Sequence, residues 1–401
     1  MATERLGGAT GTATSMQALR ASLRRECRFL RENPWDLALV TWIPWLLLIV
    51  MAWLFSGGVP RELPIAVVDL DRSATSRELV RHLQASPGLT VAEQPASLPQ
   101  ALSLARALKV YAVVLVPAGT SRDIQRGGSG TVFSYFNASY QVAGQAAARD
   151  IGSAVQATTA KLAVAEVALS RGPASVRAAP VAVQASVLFN PGRSYEQFLL
   201  GLLFPAILHL ALCVAMVGAF GRELRDATIQ PWLRDSHDRL LPAVLGKIAP
   251  YFVLFTVYGG ASLLWLAFIR GGGIAGAFVW LMLGQMLLYL AYAAIALLFV
   301  AVTRNMISAL SMAGLYAGTS LAFSAATFPL QGASWFTRLW SALSPFTAYL
   351  RLQAQQLDMG SPLTVSAWPL AALLLFVLIP GIVGIVLLRR ESRDPAAWGH
   401  R

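Results

Sequence analysis

The chain has 401 residues, of which 56% are hydrophobic and 13% charged, with a formal net charge of +12. Soluble domains carry about 25% charged residues, so a water-covered globular fold is disfavoured and a membrane protein is expected. The basic residues form no dense arm, which sets nucleic acid aside as a partner.

Cys27 and Cys213 support no disulfide framework, and His82, His209, His237 and His400 have no metal-ligand spacing. Of the basic residues only Lys109, Lys161 and Lys247 are lysine, a bias that matches a GC-rich bacterial genome.

Residues 1–15 are small and polar and read as disordered. Residues 16–32 read as an amphipathic helix. Met16, Leu19, Leu23, Cys27 and Leu30 share one face, and Arg20, Arg24, Arg25, Arg28 and Arg31 cover the rest. This pattern suits a helix lying on headgroups.

A first apolar stretch lies at 37–56. It is too long, and its leader too long, for a cleaved signal peptide, so a retained anchor is expected. Trp35, Trp42, Trp45 and Trp53 bracket it as interfacial rings would.

Segment 57–196 alternates strand and helix signals. Strands are expected at Ile65–Val68, Thr90–Ala92, Val110–Val116 and Val132–Phe136, and helices at 75–85, 97–108 and 119–126. The alternation predicts a small α/β domain. A long Ala-rich helix at about 140–171, a Gly172-Pro173 break and an extended piece at Val181–Leu188 complete it. Asp69 and Asp71 at a strand end read as turn-capping acids, since no His or third acid accompanies them. The triplet Asn137-Ala138-Ser139 matches a sequon, a chance-level signal.

Five further apolar stretches lie at 197–218, 248–269, 276–301, 306–328 and 367–388, none with Lys, Arg, Asp or Glu. With the first, they make six spans of about the 20 residues that a membrane helix requires. With the N-terminus inside, inner segments carry sixteen Arg or Lys and short outer loops three, which places both termini in the cytoplasm.

The inner loop 219–247 mixes charges on a short helix. Arg222, Glu223, Arg225, Asp226, Thr228, Trp232 and Arg234 are its candidate partner-docking residues; a plain solvated connection gives the same composition. The outer segment 329–365, broken by Pro329, Pro345 and Pro362, reads as a re-entrant or interfacial helix pair. In the spans, His209, Gln285, Tyr289 and Tyr292 are the candidate pathway groups, with interhelical hydrogen bonding as their more ordinary role. Gly314, Gly318, Ala322 and Ala326 form a small-residue ridge for close helix packing, within the chain or across a dimer.

No phosphate-binding loop exists, because the only Gly-Lys pair, Gly246-Lys247, is followed by Ile248. No G-x-S-x-G or H-E-x-x-H occurs. An enzyme acting alone is disfavoured. Spans without charge argue against a proton- or ion-coupled carrier and point to energy supplied by another chain.

Four segments, in order and within the one-plus-five layout, carry a family resemblance. They are Leu63-Pro64-Ile65-Ala66-Val67-Val68-Asp69-Leu70-Asp71-Arg72-Ser73, Tyr111-Ala112-Val113-Val114-Leu115-Val116-Pro117, Leu188-Phe189-Asn190-Pro191 and Leu245-Gly246-Lys247-Ile248-Ala249-Pro250-Tyr251. Over nearly the whole chain, the sequence resembles the ABC-2 type transporter permeases with a long loop after the first helix.

The resemblance implies an α-helical integral membrane protein of six transmembrane helices (1+5), with the α/β extracytoplasmic domain between helices 1 and 2. It implies a half-transporter of the bacterial inner membrane that pairs with a second copy or a homologous permease. ATP and Mg are then bound by separate ABC ATPase subunits, and this chain holds no cofactor. The substrates implied are drugs or other amphipathic molecules moved outward, sometimes with a periplasmic adaptor protein.

By the same resemblance Arg222–Ser236 includes the coupling helix, and 16–32 the interfacial helix. The family's Glu-x-Gly-Thr-like stretch is Arg225-Asp226-Ala227-Thr228 here, with Ala227 at the glycine. The competing readings are a non-transporting scaffold for secretion or envelope assembly, and a secondary carrier.

Overall fold

The computed structural model describes residues 3–56, 61–126, 130–137, 141–171, 195–326, 330–395 and 398–399. The expected Gly172-Pro173 break, the extended piece 181–188 and most of the sequon lie outside them. The chain divides into two compact units, Gly57–Val187 and the remainder.

The inserted unit is a four-stranded sheet in the order β2-β1-β3-β4. Its strands are β1 (Leu63–Asp69), β2 (Leu89–Glu93), β3 (Ala112–Val116) and β4 (Phe133–Phe136). The first three are parallel, and β4 pairs antiparallel with β3. The near-continuous apolar runs of β1 and β3 suit strands covered on both faces. Ile65, Val67 and Val114 pack with Leu79, Leu83, Ala147 and Ile151, while Ala66, Val68 and Val113 pack with Ala101.

The covering helices are α4 (Ala74–Ala85), α5 (Leu98–Arg106) and α7 (Gln141–Arg171), with the short α6 (Thr120–Gln125) after β3. Glu78 on α4 is held down to about 2 by hydrogen bonds from Lys161 of α7 and from Arg81. The two turn acids are fully used by the backbone and by one hydroxyl. Asp69 accepts from the Asp71 and Arg72 amides and from Ser76 Oγ, and Asp71 accepts from the Gly119 and Ser121 amides.

The other unit is helical. It begins with α1 (Thr3–Glu32), so the helix expected from 16 extends back over residues read as disordered. Then come α2 (Pro34–Val40) and α3 (Trp42–Leu54), parted at Thr41. Pro44 cannot donate to the Val40 carbonyl, which helps to open the ladder there.

The remaining helices are α8 (Tyr195–Arg225), α9 (Ile229–Asp235), α10 (Leu240–Leu264, ending in a π-turn to Ile269), α11 (Phe278–Thr303), α12 (Met306–Thr319), α13 (Trp335–Ala342), α14 (Pro345–Gln353, ending in a π-turn to Asp358) and α15 (Leu363–Glu391). Helix α11 is the axis of the bundle and packs against α8, α10, α12, α14 and α15. Gly384 makes one of these approaches close, because a Cβ there would meet Leu297 Cγ and the Leu298 amide nitrogen at 3.1 Å.

Among the described residues, five helices are long and apolar enough to cross a membrane: Pro34–Leu54, Glu196–Arg225, Leu240–Ile269, Phe278–Thr303 and Leu363–Glu391. The outward face of α15 carries Leu375, Ile379 and Ile382 exposed, a surface that hydrocarbon would cover.

Of the sixth expected span, 306–328, only the first part is a regular helix among the described residues. Helix α12 ends at Thr319 and turns run on to 326. Its 14 residues reach about 21 Å, against roughly 30 Å of hydrocarbon. Thr319 Oγ1 and Ser320 Oγ bond back to the Leu315 and Tyr316 carbonyls at the point where it stops. Such back-bonding competes with helix continuation.

Candidate coupling site

The α8–α9–α10 corner is built around charges taken out of water. Helix α1 lays Ala18, Ser22, Glu26 and Leu30 against the bundle, a face offset by one position from the Met16–Cys27 apolar face. Met16 is exposed, and Leu19, Leu23 and Cys27 are half-buried. The buried face contains a carboxylate because partners await it. Lys247 Nζ donates to Glu26 Oε2 at 2.9 Å and to Glu223 Oε1 at 2.7 Å. Tyr251 Oη donates to Glu26 Oε1 at 2.6 Å, and the Arg222 guanidinium pairs with the same carboxylate.

Arg25 extends the chain outward, to Glu223 and Asp235, both at 3.1 Å. Three cations thus meet three carboxylates. Burial pushes the Glu26 carboxyl up, but the charges of Lys247 and Arg222 and the hydrogen bonds from Arg222 and Tyr251 hold it below the usual carboxylate range.

Uncharged contacts lock the same corner. Trp232, 1% exposed, donates from Nε1 to Ser22 Oγ at 2.9 Å, and Ser22 Oγ donates to the Ala243 carbonyl at 2.7 Å. Thr228 Oγ1 donates to Glu223 Oε2 at 2.6 Å. Lys247 Nζ lies 4.9 Å from the Trp232 ring centroid, and Arg222 stacks 3.7 Å from that of Phe29. A Cβ at position 246 would come within 2.4 Å of the Leu19 carbonyl, so glycine is what lets α10 reach α1. The tail also docks here: the Gly399 amide donates to the Leu224 carbonyl at 2.9 Å, and Gln230 donates to the Ser392 carbonyl.

The seven loop residues singled out in the sequence therefore separate into two groups. Arg222, Glu223, Thr228 and Trp232 point into the lock. Arg225 and Asp226 pair with each other at 2.8 Å, and with Arg234 they face outward. Ala227, where the resemblance implies a glycine, sits at φ 54°, in the left-handed region where glycine costs least.

Sequence reasoning missed Glu26, Lys247 and Tyr251, and the statement that the spans lack charge needs correction. The spans drawn at 197–218 and 248–269 stop short of Arg222, Glu223 and Lys247, yet α8 and α10 run on through these residues and bury them. Gly246-Lys247, read in the sequence as a failed phosphate loop and as part of the Leu245–Tyr251 segment, carried the signal.

The four pathway candidates are all packed inside the bundle. His209 places Nδ1 2.7 Å from the Pro205 carbonyl and Nε2 3.2 Å from that of Ala317, between the rings of Tyr292 and Phe346. Gln285 donates to Tyr289 Oη at 3.1 Å, and Tyr292 Oη bonds Ser320 Oγ at 2.9 Å. The ridge residues Gly314, Gly318 and Ala322 face away from the bundle, which α12 meets with Ala309, Ala313 and Ala317. A Cβ at either glycine would meet nothing within 4 Å among the described residues.

Three comparisons bear on identity. No curated protein matches the chain, and no solved structure does. The model of the ABC-2 family transporter proteins matches residues 34–386, which takes in α8, α9, α10 and the inserted sheet and leaves out α1. By that match the chain belongs to the ABC-2 family: it is a membrane permease subunit of an ABC transporter, a transport component that works with ABC ATPase subunits.

Proposed function

We propose that the chain is the permease of an ATP-driven exporter of amphipathic molecules, and that the α9 corner is where a separate ATPase subunit delivers force. The observation that carries this reading is the lock itself. Helix α9 is short, presents Arg234 outward beside Arg225 and Asp226 at the end of α8, and is tied from behind to α1 by Trp232 and, through Thr228, to Glu223 of α8, which also holds Lys247 of α10.

Displacing α9 would strain hydrogen bonds and ion pairs in a low dielectric, where they resist stretching. The three helices would then move together. Residues 16–32 would lie along the cytoplasmic headgroups beside this corner, with both termini in the cytoplasm of a bacterial inner membrane. The uncovered Gly314–Gly318 stripe supports pairing with a second copy. A periplasmic adaptor could meet the inserted α/β unit.

The secondary-carrier reading loses ground, because the buried charges pair with and neutralise one another. The experiment is co-expression with a partner ATPase in vesicles. ATP-dependent accumulation of an amphipathic probe, lost with Arg234→Glu while the protein remains folded, supports the proposal. Transport driven by a proton gradient without ATP overturns it. A corner that recruits ATPase but moves no probe favours the scaffold.

A further inference from the structure

A cavity of about 420 Å³ opens between the first turns of α8, the turns after α12, and α14 with its π-turn. Small-molecule sites fall in this size range. Phe198, Leu202, Leu350, Leu357 and Met359 give it apolar walls.

Two polar acceptors in the lining are left over. Pro205 has no N–H, so the Gly201 carbonyl lacks its helical donor. Gln353 Nε2 supplies one at 2.7 Å. This bond fixes the amide and leaves Gln353 Oε1, on a side chain 5% exposed, with no partner among the described residues. A buried acceptor left open is costly, so a bound donor would be favoured there.

Asp358, which closes the π-turn, also lines the cavity and is half-buried. Burial raises its carboxyl, with no neighbouring charge or hydrogen bond set against the effect. Arg351, the one basic residue in the lining among the described residues, is exposed to solvent. One-turn π-insertions such as this often mark functional sites.

We propose that this cavity binds a cationic amphipath carrying an N–H ammonium, with its apolar body against Phe198, Leu202 and Leu357 and its charged group shared between Gln353 Oε1 and the Asp358 carboxylate. The proposal deepens the exporter reading by naming a substrate class, and rests on that reading only for the steps after binding.

The test is a fluorescence titration of the full chain in lipid nanodiscs, without ATPase, using dansylcadaverine and its neutral N-acetyl derivative. The ammonium probe is expected to bind about tenfold or more tightly than the acetylated one, the difference that one charge-assisted hydrogen bond supplies. Asp358→Asn is expected to remove that preference while leaving the thermal unfolding midpoint near that of the unaltered chain.

Equal affinity for the two probes, or a preference that survives Asp358→Asn, overturns the proposal. The two-probe comparison on the unaltered chain decides the matter even where the variant does not fold. A chain that prefers the ammonium but does not transport it sinks the exporter reading and leaves the site standing. A chain that transports with ATPase but binds both probes alike sinks the site alone.

Discussion

Lys247 Nζ and Glu26 Oε2 are 2.9 Å apart across 221 residues of chain, and both side chains are 1% exposed. Neither ion could be left alone at that depth, since a buried charge without its partner costs several kcal/mol. The pair therefore ties α1 to α10 as a condition of folding, and Glu223 brings the end of α8 into the same arrangement.

Breaking this arrangement one residue at a time should be worse than breaking it as a pair. Glu26→Gln or Lys247→Met alone is expected to destabilise the protein by about 3–5 kcal/mol. The double variant should cost less than the two singles summed, because no orphan charge remains. Thermal unfolding followed by size exclusion measures all three. Additive losses would mean that the pair does not act as a unit.

The pH dependence has a definite sign. The Glu26 carboxyl is lower in the folded protein than its ordinary value near 4.5. The stability that it contributes is present above that value and is lost as pH falls through the folded pKa. Unfolding midpoints should fall more steeply on acidification in the unaltered chain than in Glu26→Gln. Parallel pH profiles would refute the assignment.

Trp232→Phe keeps the ring in the corner and deletes the hydrogen bond to Ser22 Oγ. The stability loss should be modest, about 1 kcal/mol. Under the coupling proposal, ATPase stimulation by the probe should fall further than stability does, while ATPase recruitment persists. Unchanged stimulation would show that α9 does not transmit through this contact.

Ala227→Gly tests a departure from the pattern that the resemblance implies. An L-residue in the left-handed region costs roughly 1–2 kcal/mol, partly offset by the freedom glycine has in the unfolded chain, roughly 0.5–1 kcal/mol. The variant is expected to be as stable as the parent, or more so by up to about 1 kcal/mol, and to keep coupling. A clear loss of stability would mean that the φ of 54° is not strained.

How much of the molecule is legible in its sequence depends on the range of each signal. The β1 and β3 runs, the turn acids Asp69 and Asp71, and the polar α9 corner are local patterns, readable within ten or so residues. The lock is not local. Glu26 reads as one polar residue among arginines, and Lys247 as a residue just outside a span, until the fold brings them together. Thr319 and Ser320 end a helix by bonding backwards, which no hydropathy window registers, so only the first part of an apolar stretch of spanning length is a regular helix. The cavity beside Gln353 depends on a proline on one helix and a π-turn on another.

The ridge on α12 offers a last test. Gly314 and Gly318 face open space, yet glycine in a helix interior costs roughly 1 kcal/mol relative to alanine. No described neighbour within the chain uses the room they leave, so a second copy is the proposed occupant, its own ridge lying close because neither side carries a Cβ. Gly314→Cys, in a background with Cys27→Ser and Cys213→Ser, should form a disulfide-linked dimer in membranes on mild oxidation. Adding Gly318→Leu one turn away should suppress the crosslink, because the inserted side chain holds the helices apart. Crosslinking that is absent, or indifferent to the leucine, would place the interface on another helix.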